Sequence, residues 1–265
     1  MAQGLYRGDP LTPREREELE DDLIACCDRE LDLLGDITRL NVLYAGGSSL
    51  LWIEGLSQRI GDGGSVTAID MNAERVDDTQ ASLGEAELAA PVHLLAGDVL
   101  GMPFEPHAFD LVYSSGLFHE LDVKERAAED ALAALHLVAQ PGGRVATSDF
   151  VDSEPAVQLE DERLEAELRR EAYAQEPFGI WPPQRLVALH EKHLTDVRWL
   201  VSPPRRIRHL GKLVLAENEP AELSSLPLAT AHRLRERRDA MRGRILGEGY
   251  TRPATLYVEG LVQIA

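Results

Sequence analysis

Four short stretches carry the residues best able to do chemistry: Gly46-Gly47-Ser48-Ser49, Asp70, Asp98, and Ser114 to His119. A glycine turn that opens into a helix leaves backbone N–H groups free and lets a ligand approach the chain closely. Asp70 can accept hydrogen bonds from both hydroxyls of a ribose, because an ionised carboxylate only accepts. Asp98 is a second acid in the same kind of setting. The first chemistry suggested is therefore the holding of a nucleoside-containing ligand.

The elements around these residues place all four at strand tips. Val42-Leu43-Tyr44-Ala45 is a short apolar run that breaks at Gly46, and Ile53, Leu56 and Ile60 then follow at helical spacing. Val66 to Ile69 reads as a second strand, ending at Asp70. Asn72 is a predicted helix cap, and Val76 and Leu83 share one face of a short exposed helix with Gln80 between them. Val92 to Ala96 is a third strand before Gly97-Asp98, and Phe109 to Tyr113 a fourth, opening into Ser114-Ser115-Gly116. Asp122 with Glu125 forms a capping-box pattern for a helix to about Ala139, and Pro141-Gly142-Gly143 leads into a fifth strand, Arg144 to Val151. Strands alternating with helices predict an α/β, doubly wound, parallel sheet with ligands at the strands' carboxyl ends.

The flanking segments are less regular. Thr12-Pro13-Arg14-Glu15 starts a helix expected to run to Leu34, preceded by an arm containing Tyr6 that could fold over a ligand. Leu159 to Tyr173 is a charged helix, followed by the Pro/aromatic segment EPFGIWPP. That insertion could be a lid whose apolar surface comes from Tyr173, Phe178 and Trp181. Gln184 to His193 is a helix; its His190 and His193 are three apart, but no third ligand is evident, so they are read as surface histidines with no metal. Val197 to Val201 alternates as a strand, and Ala254 to Ile264 as a long last strand. A helix from about Leu228 to Leu246 holds Arg233, Arg235, Arg237, Arg238, Arg242 and Arg244. With Arg205, Arg206 and Arg208, these arginines either receive an anionic substrate group or a partner's acidic face, or form a solvated face paired with the protein's own carboxylates.

Composition narrows the partners. The chain of 265 residues has a net charge of −19, which repels nucleic acid and anionic membranes. No apolar run is long enough to span a bilayer, and the first residues lack the apolar core of a signal peptide, so a cytoplasmic location is expected. Cys26 and Cys27, the only cysteines, read as buried thiols in a reducing compartment. The sequence leaves the oligomeric state open, a homodimer included.

The ordered set NVLYAGGSS, VTAIDMN, LLAGDVLGMPF, FDLVYSSGLFHEL and PGGRVATSDF resembles class I S-adenosylmethionine-dependent methyltransferases, most of all the ubiquinone/menaquinone-biosynthesis type, over about Arg39 to Val151. The resemblance implies a Rossmann-like, mostly parallel seven-stranded sheet whose last strand is antiparallel. It implies that Ala45, Gly46, Gly47 and Ser48 lie under the methionine part of the cofactor. Asp70 would hold the ribose and Met71 lie against the adenine. Asp98 would meet the adenine amino group with Val99 beside it. Ser114 and Ser115 would face the methionine end, and Phe118 and His119 the substrate; the arm and the insertion, outside the resemblance, add Tyr6, Tyr173 and Trp181 as further substrate candidates. The sequence departs from the family where Tyr44 replaces an acid that helps hold the cofactor's ammonium, and where Ser48 and Leu50 replace glycines.

The expected function is methyl transfer from S-adenosylmethionine to a small molecule by in-line displacement, with His119 as the base because its pKa lies near neutrality. The alternatives are a cofactor-binding protein with weakened or no catalysis, and an aminopropyl or aminocarboxypropyl transferase. The expected organisation is an arm and covering helix over 1–38, a cofactor-binding core over 39–151, and a lid-like insertion over 152–183. The remainder of the sheet follows over 184–265, with an arginine-rich helical insertion at about 203–250.

Overall fold

The computed structural model describes residues 10–84, 86–124, 127–154, 157–216 and 219–263. Its centre is a seven-stranded sheet in the order β3-β2-β1-β4-β5-β9-β6. The strands are β1 (Asn41–Ala45), β2 (Ser65–Asp70), β3 (Val92–Ala96), β4 (Phe109–Ser115), β5 (Ala139–Val151), β6 (Thr195–Ser202) and β9 (Ala254–Leu261). The first five pair in parallel, while β9 lies antiparallel between β5 and β6. β7 (Arg205–Arg206) and β8 (Thr251–Arg252) form a separate two-stranded ribbon.

Period-two alternation in the strands divides the core. Val42 and Tyr44 of β1, with Val66, Ala68, Leu111 and Tyr113, face one layer. That layer is α1 (Pro13–Asp32), α2 (Leu50–Ile60) and α3 (Ala73–Leu83), which contribute Leu31, Ile53, Leu56, Ile60 and Leu83. Leu43, Ala45, Ile69, Val112 and Val145 face the other layer. There α4 (Ala127–Val138) and α6 (Pro183–Glu191) bring in Ala131, Leu132, Leu135, Leu186 and Val187. Both faces are covered, which is why these strands read as continuous apolar runs.

Local chemistry explains the boundaries. Thr12 and Glu15 make the expected capping box at α1, and Asn72 caps α3 by accepting from Arg75 N–H. α3 buries Thr79 between Val76 and Leu83, and Gln80 is exposed. Glu125, the second half of the box expected before α4, lies outside the described residues. β5 begins at Ala139, earlier than the Pro-Gly-Gly turn suggests.

The second half adds α5 (Val157–Tyr173), α7 (Leu210–Ala216) and α8 (Leu228–Glu248). α5 and α8 pack through Leu164, Leu168, Leu234, Met241 and Ile245 into a core of their own. The α8 arginines face the carboxylates of α5: Arg233 and Arg237 share Glu167, Arg238 bonds Glu165 at 3.0 Å, and Arg244 bonds Glu160 at 2.5 Å. The basic run is thus matched within the protein. No helix of the described residues is long and apolar enough to cross a membrane.

Candidate active site

The strand order reverses between β1 and β4, and in such sheets the crevice outside the carboxyl ends at that point receives ligands. The β1–α2 turn forms its floor. Gly46 and Gly47 both donate to the Ile69 carbonyl, at 2.8 and 3.1 Å, tying the turn to the tip of β2. Gly46 is left-handed with φ of 72°, and a Cβ there would meet Leu117 Cδ1 at 2.5 Å. A Cβ on Gly47 would lie 2.5 Å from Tyr44 Cζ, so tyrosine at 44 dictates glycine at 47. Neither Ser48 nor Leu50 is left-handed, and serine at 48 therefore costs no backbone strain.

Ser48 does more than replace a glycine. Its buried hydroxyl donates to Asp70 Oδ2 at 2.8 Å, while Asn72 N–H donates to Oδ1 at 2.8 Å. A carboxylate offers about four lone-pair positions, so two remain, as many as a ribose diol requires. Asp98 is exposed at the next tip, accepting from Leu100 N–H at 2.9 Å, with Val99 buried behind it. Met71 stands 80% exposed beside Asp70. Ala45 is buried in the core under the turn.

The β4 side is different. Tyr44 is buried and stacks on Tyr113 with centroids 5.9 Å apart and planes at 19°. Burial pushes the Tyr44 hydroxyl well up, with Tyr113 and Glu30 adding to it, so this position offers no negative charge. The nearby charge comes from α1. Glu30 is buried, accepts from Ser115 Oγ at 3.2 Å and lies 3.5 Å from Arg252 Nη1. Trp52 Nε1, the Tyr113 hydroxyl and Ser148 Oγ are buried without a hydrogen-bond partner among the described residues. Orphaned polar atoms of this kind suit a polar ligand that completes them. With the acceptor positions of Asp70 on the other side, the residues present fit S-adenosylmethionine.

Beyond Ser115 lies a buried pair. His119 Nδ1 is 2.6 Å from Asp149 Oδ1, and Asp149 Oδ2 accepts from the backbone N–H groups of Phe118 and His119 at 2.6 and 3.2 Å. His119 Nε2 faces Glu162 at 3.8 Å and Glu120 at 3.9 Å. Burial pulls the imidazole down, but the charge and hydrogen bond of Asp149, with Glu162 and Glu120, outweigh it and raise His119 to about 9. This corrects the near-neutral value expected from sequence: three carboxylates surround the ring. A small, shallow cleft opens here, lined by His119, Asp149, Phe150, Phe178, Trp181 and Leu186.

The expected residues are thus only partly brought together. His119, Phe118 and Trp181 share the cleft. Tyr173 does not join them: it is exposed, and its hydroxyl donates to Glu222 at 3.1 Å. Tyr6 lies outside the described residues. Ser114 faces the opposite side of the sheet from Ser115, pairing with Thr147 Oγ1 at 3.1 Å. Thr147 in turn meets His190 Nε2 at 3.0 Å. His190 is therefore not a surface histidine. It is fully buried, and burial pulls it down to about 4, so it is a neutral link in the core. Among the described residues no cluster could hold a metal ion. Cys26 and Cys27 are free and buried, as expected.

Three residues of the site escape a sequence reading. Asp149 was findable, as a third acid at a strand tip in the series with Asp70 and Asp98. Glu30 lies within a charged helix and Arg252 near the other end of the chain, and no local pattern marks either.

Residues 42–143 match the family described as a methyltransferase domain. The chain is similar to the demethylmenaquinone methyltransferase of Lactococcus lactis subsp. lactis (strain IL1403), at 30% identity over 113 residues. That alignment covers 42% of this chain and 42% of the relative. Among solved structures, a SAM-dependent methyltransferase from Aquifex aeolicus aligns with a TM-score of 0.52 at 16% identity, covering 97% of this chain and 100% of the other. An arsenic(III) S-adenosylmethionine methyltransferase from Chlamydomonas reinhardtii aligns at 0.51 and 18% identity, covering 87% and 65%. At these identities the two structures speak to the fold. The likeness in sequence thus lies over residues 42–143 and is to methyltransferase domains, and the likeness in fold extends over nearly the whole chain.

Proposed function

We propose that the protein transfers the methyl group of S-adenosylmethionine to a small molecule bound in the His119 cleft. The observation that carries this is the placement, along one row of strand tips with β1 and β4 between them, of an acid suited to a nucleoside and a carboxylate-oriented histidine: Asp70 on β2, and His119 held by Asp149 of β5. The cofactor supplies an electrophilic methyl group, so the protein's work is chiefly alignment, which can contribute several kcal/mol.

Asp70 receives the ribose hydroxyls, Asp98 the adenine amino group, and the Gly46–Gly47 turn lies under the methionine. Phe150, Phe178 and Trp181 give the cleft apolar walls that exclude water from one side of the acceptor. Asp149 fixes the His119 ring through Nδ1 and leaves Nε2 toward Glu162 and Glu120. In its neutral form, Nε2 takes the proton of a hydroxyl or amine acceptor as the new bond forms, and Glu162 stabilises the resulting imidazolium. The acceptor is thus a small, largely apolar molecule with one protonated nucleophile.

The test is incubation with S-adenosylmethionine carrying a labelled methyl group and a library of small hydroxylated and amine compounds. Product masses are then read. Labelled single-methyl products support the proposal; an unlabelled product heavier by an aminocarboxypropyl group with the label left on 5′-methylthioadenosine, or label in no product, sinks it.

A further inference from the structure

The sheet carries no acid at position 44, yet an acid reaches the same neighbourhood from another element. Glu30 leaves α1 and enters the space between that helix and the tips of β4 and β5, where it accepts from Ser115 Oγ. Tyr44 spans the gap. Its ring lies against Gly47 of the turn, and its hydroxyl lies within electrostatic reach of both Glu30 and Asp70. Glu30 is therefore one aromatic ring away from the glycine turn.

Two observations mark this spot as a place for a ligand. First, the Glu30–Arg252 pair is incomplete. At 3.5 Å it is longer than a well-made charge-assisted hydrogen bond, and the Arg252 guanidinium also lies over the Phe150 ring at 5.0 Å. Secluded ions that do not satisfy each other retain hydrogen-bonding capacity, which is costly unless something else uses it. Second, three more polar atoms are orphaned nearby: Trp52 Nε1 at the start of α2, the Tyr113 hydroxyl of β4 and Ser148 Oγ of β5. They gather about the Tyr113 hydroxyl, which Ser148, Ser115 and Trp52 approach without completing a well-formed hydrogen bond among themselves. A carboxylate, a guanidinium and a ring of neutral donors match an amino-acid headgroup, which carries one ammonium and one carboxylate.

We propose that Glu30 replaces the missing acid at position 44 and holds the ammonium of the cofactor's methionine, with Arg252 beside it receiving the methionine carboxylate. This deepens the methyltransferase reading and rests on it. The substitution of tyrosine at 44 is then compensated. The phenol fills the acid's place in the sheet and stacks on Tyr113, while the charge moves to the covering helix.

Two ligands separate this inference from the reading beneath it. S-adenosylhomocysteine carries the amino-acid headgroup, and 5′-methylthioadenosine carries the same nucleoside without it. Calorimetric titration of the wild type and Glu30→Gln with both is the experiment. Glutamine keeps the volume and removes the charge, and methylthioadenosine binding reports that the variant is folded. The expected result is that Glu30→Gln weakens S-adenosylhomocysteine roughly tenfold or more, the worth of one hydrogen bond to a charged group, and leaves methylthioadenosine within about twofold. Equal affinity of both proteins for S-adenosylhomocysteine overturns the inference, as does equal weakening of the two ligands. Binding of neither ligand by the wild type overturns the cofactor reading itself, and this inference with it.

Discussion

On the β1–β2–β3 side of the crevice, Gly46, Asp70 and Asp98 occupy successive strand tips and are held from within their own turn or by the strand tip next in sequence. Asp70 is fixed by Ser48 and Asn72, and Asp98 by Leu100. On the β4–β5 side nothing is local. Ser115 bonds a glutamate 85 residues earlier, His119 depends on an aspartate 30 residues later, and Arg252 arrives from the far end of the chain. The half proposed to hold the nucleoside is a repeated strand–turn device, whereas the half proposed to hold the acceptor is assembled by tertiary packing. The two halves should therefore fail differently: damage to the second should cost stability, and damage to the first mainly binding.

The largest expected effect is at Asp149. Its carboxylate takes four donors, the N–H groups of Phe118, His119 and Phe150 and the His119 ring. Asp149→Ala strands them in a buried site and should destabilise the fold by about 3–5 kcal/mol, read as a fall in the urea midpoint. Gly47→Ala comes next. Its Cβ would collide with the Tyr44 ring, an overpacking cost of about 1–3 kcal/mol in the same assay. If Asp149→Ala proves harmless, the β4–β5 side is not built as described.

His119 gives a comparison in pH. Its folded pKa of about 9 lies above the ordinary 6.5, so proton binding favours the folded state. That stabilisation is fully present below about pH 6.5 and is lost as pH rises through about 9. The base role needs the neutral ring, so methyl transfer should rise over the same interval. Stability and rate should thus have opposite slopes; a rate that falls with stability from pH 7 to 9 removes His119 as base. The smallest effect belongs to the α5–α8 surface. Arg237→Ala should cost less than about 1 kcal/mol, because its pair with Glu167 is solvent-exposed on the arginine side and Glu167 keeps Arg233.

The same contrast explains what the sequence reveals. The five parallel strands, the capping box of α1, the Asn72 cap and the tip acids depend on residues a few positions apart, and they are readable because period and turn chemistry act locally. The antiparallel β9 follows from family resemblance. The partners of the β4–β5 side are set by packing between distant segments, and no spacing encodes them. His190 illustrates the limit. Its spacing from His193 suggests a surface pair, but α6 turns it onto Thr147 of β5, and only the packed sheet reveals it as a core residue. The arginines of α8 illustrate the reverse: read alone they suggest an anion site, and the adjacent α5 supplies their carboxylates.

The central claim is that these strand tips hold S-adenosylmethionine through Asp70, and its most direct test is calorimetric titration of the wild type and Asp70→Ala with S-adenosylhomocysteine. The loss of two hydrogen bonds to a charged group predicts a Kd at least about 100-fold weaker in the variant, with a smaller fall in the unfolding midpoint than Asp149→Ala gives, since only Ser48 Oγ and Asn72 N–H lose their acceptor. An affinity within about twofold of the wild type would contradict the assignment of Asp70 and with it the orientation of the cofactor along the sheet.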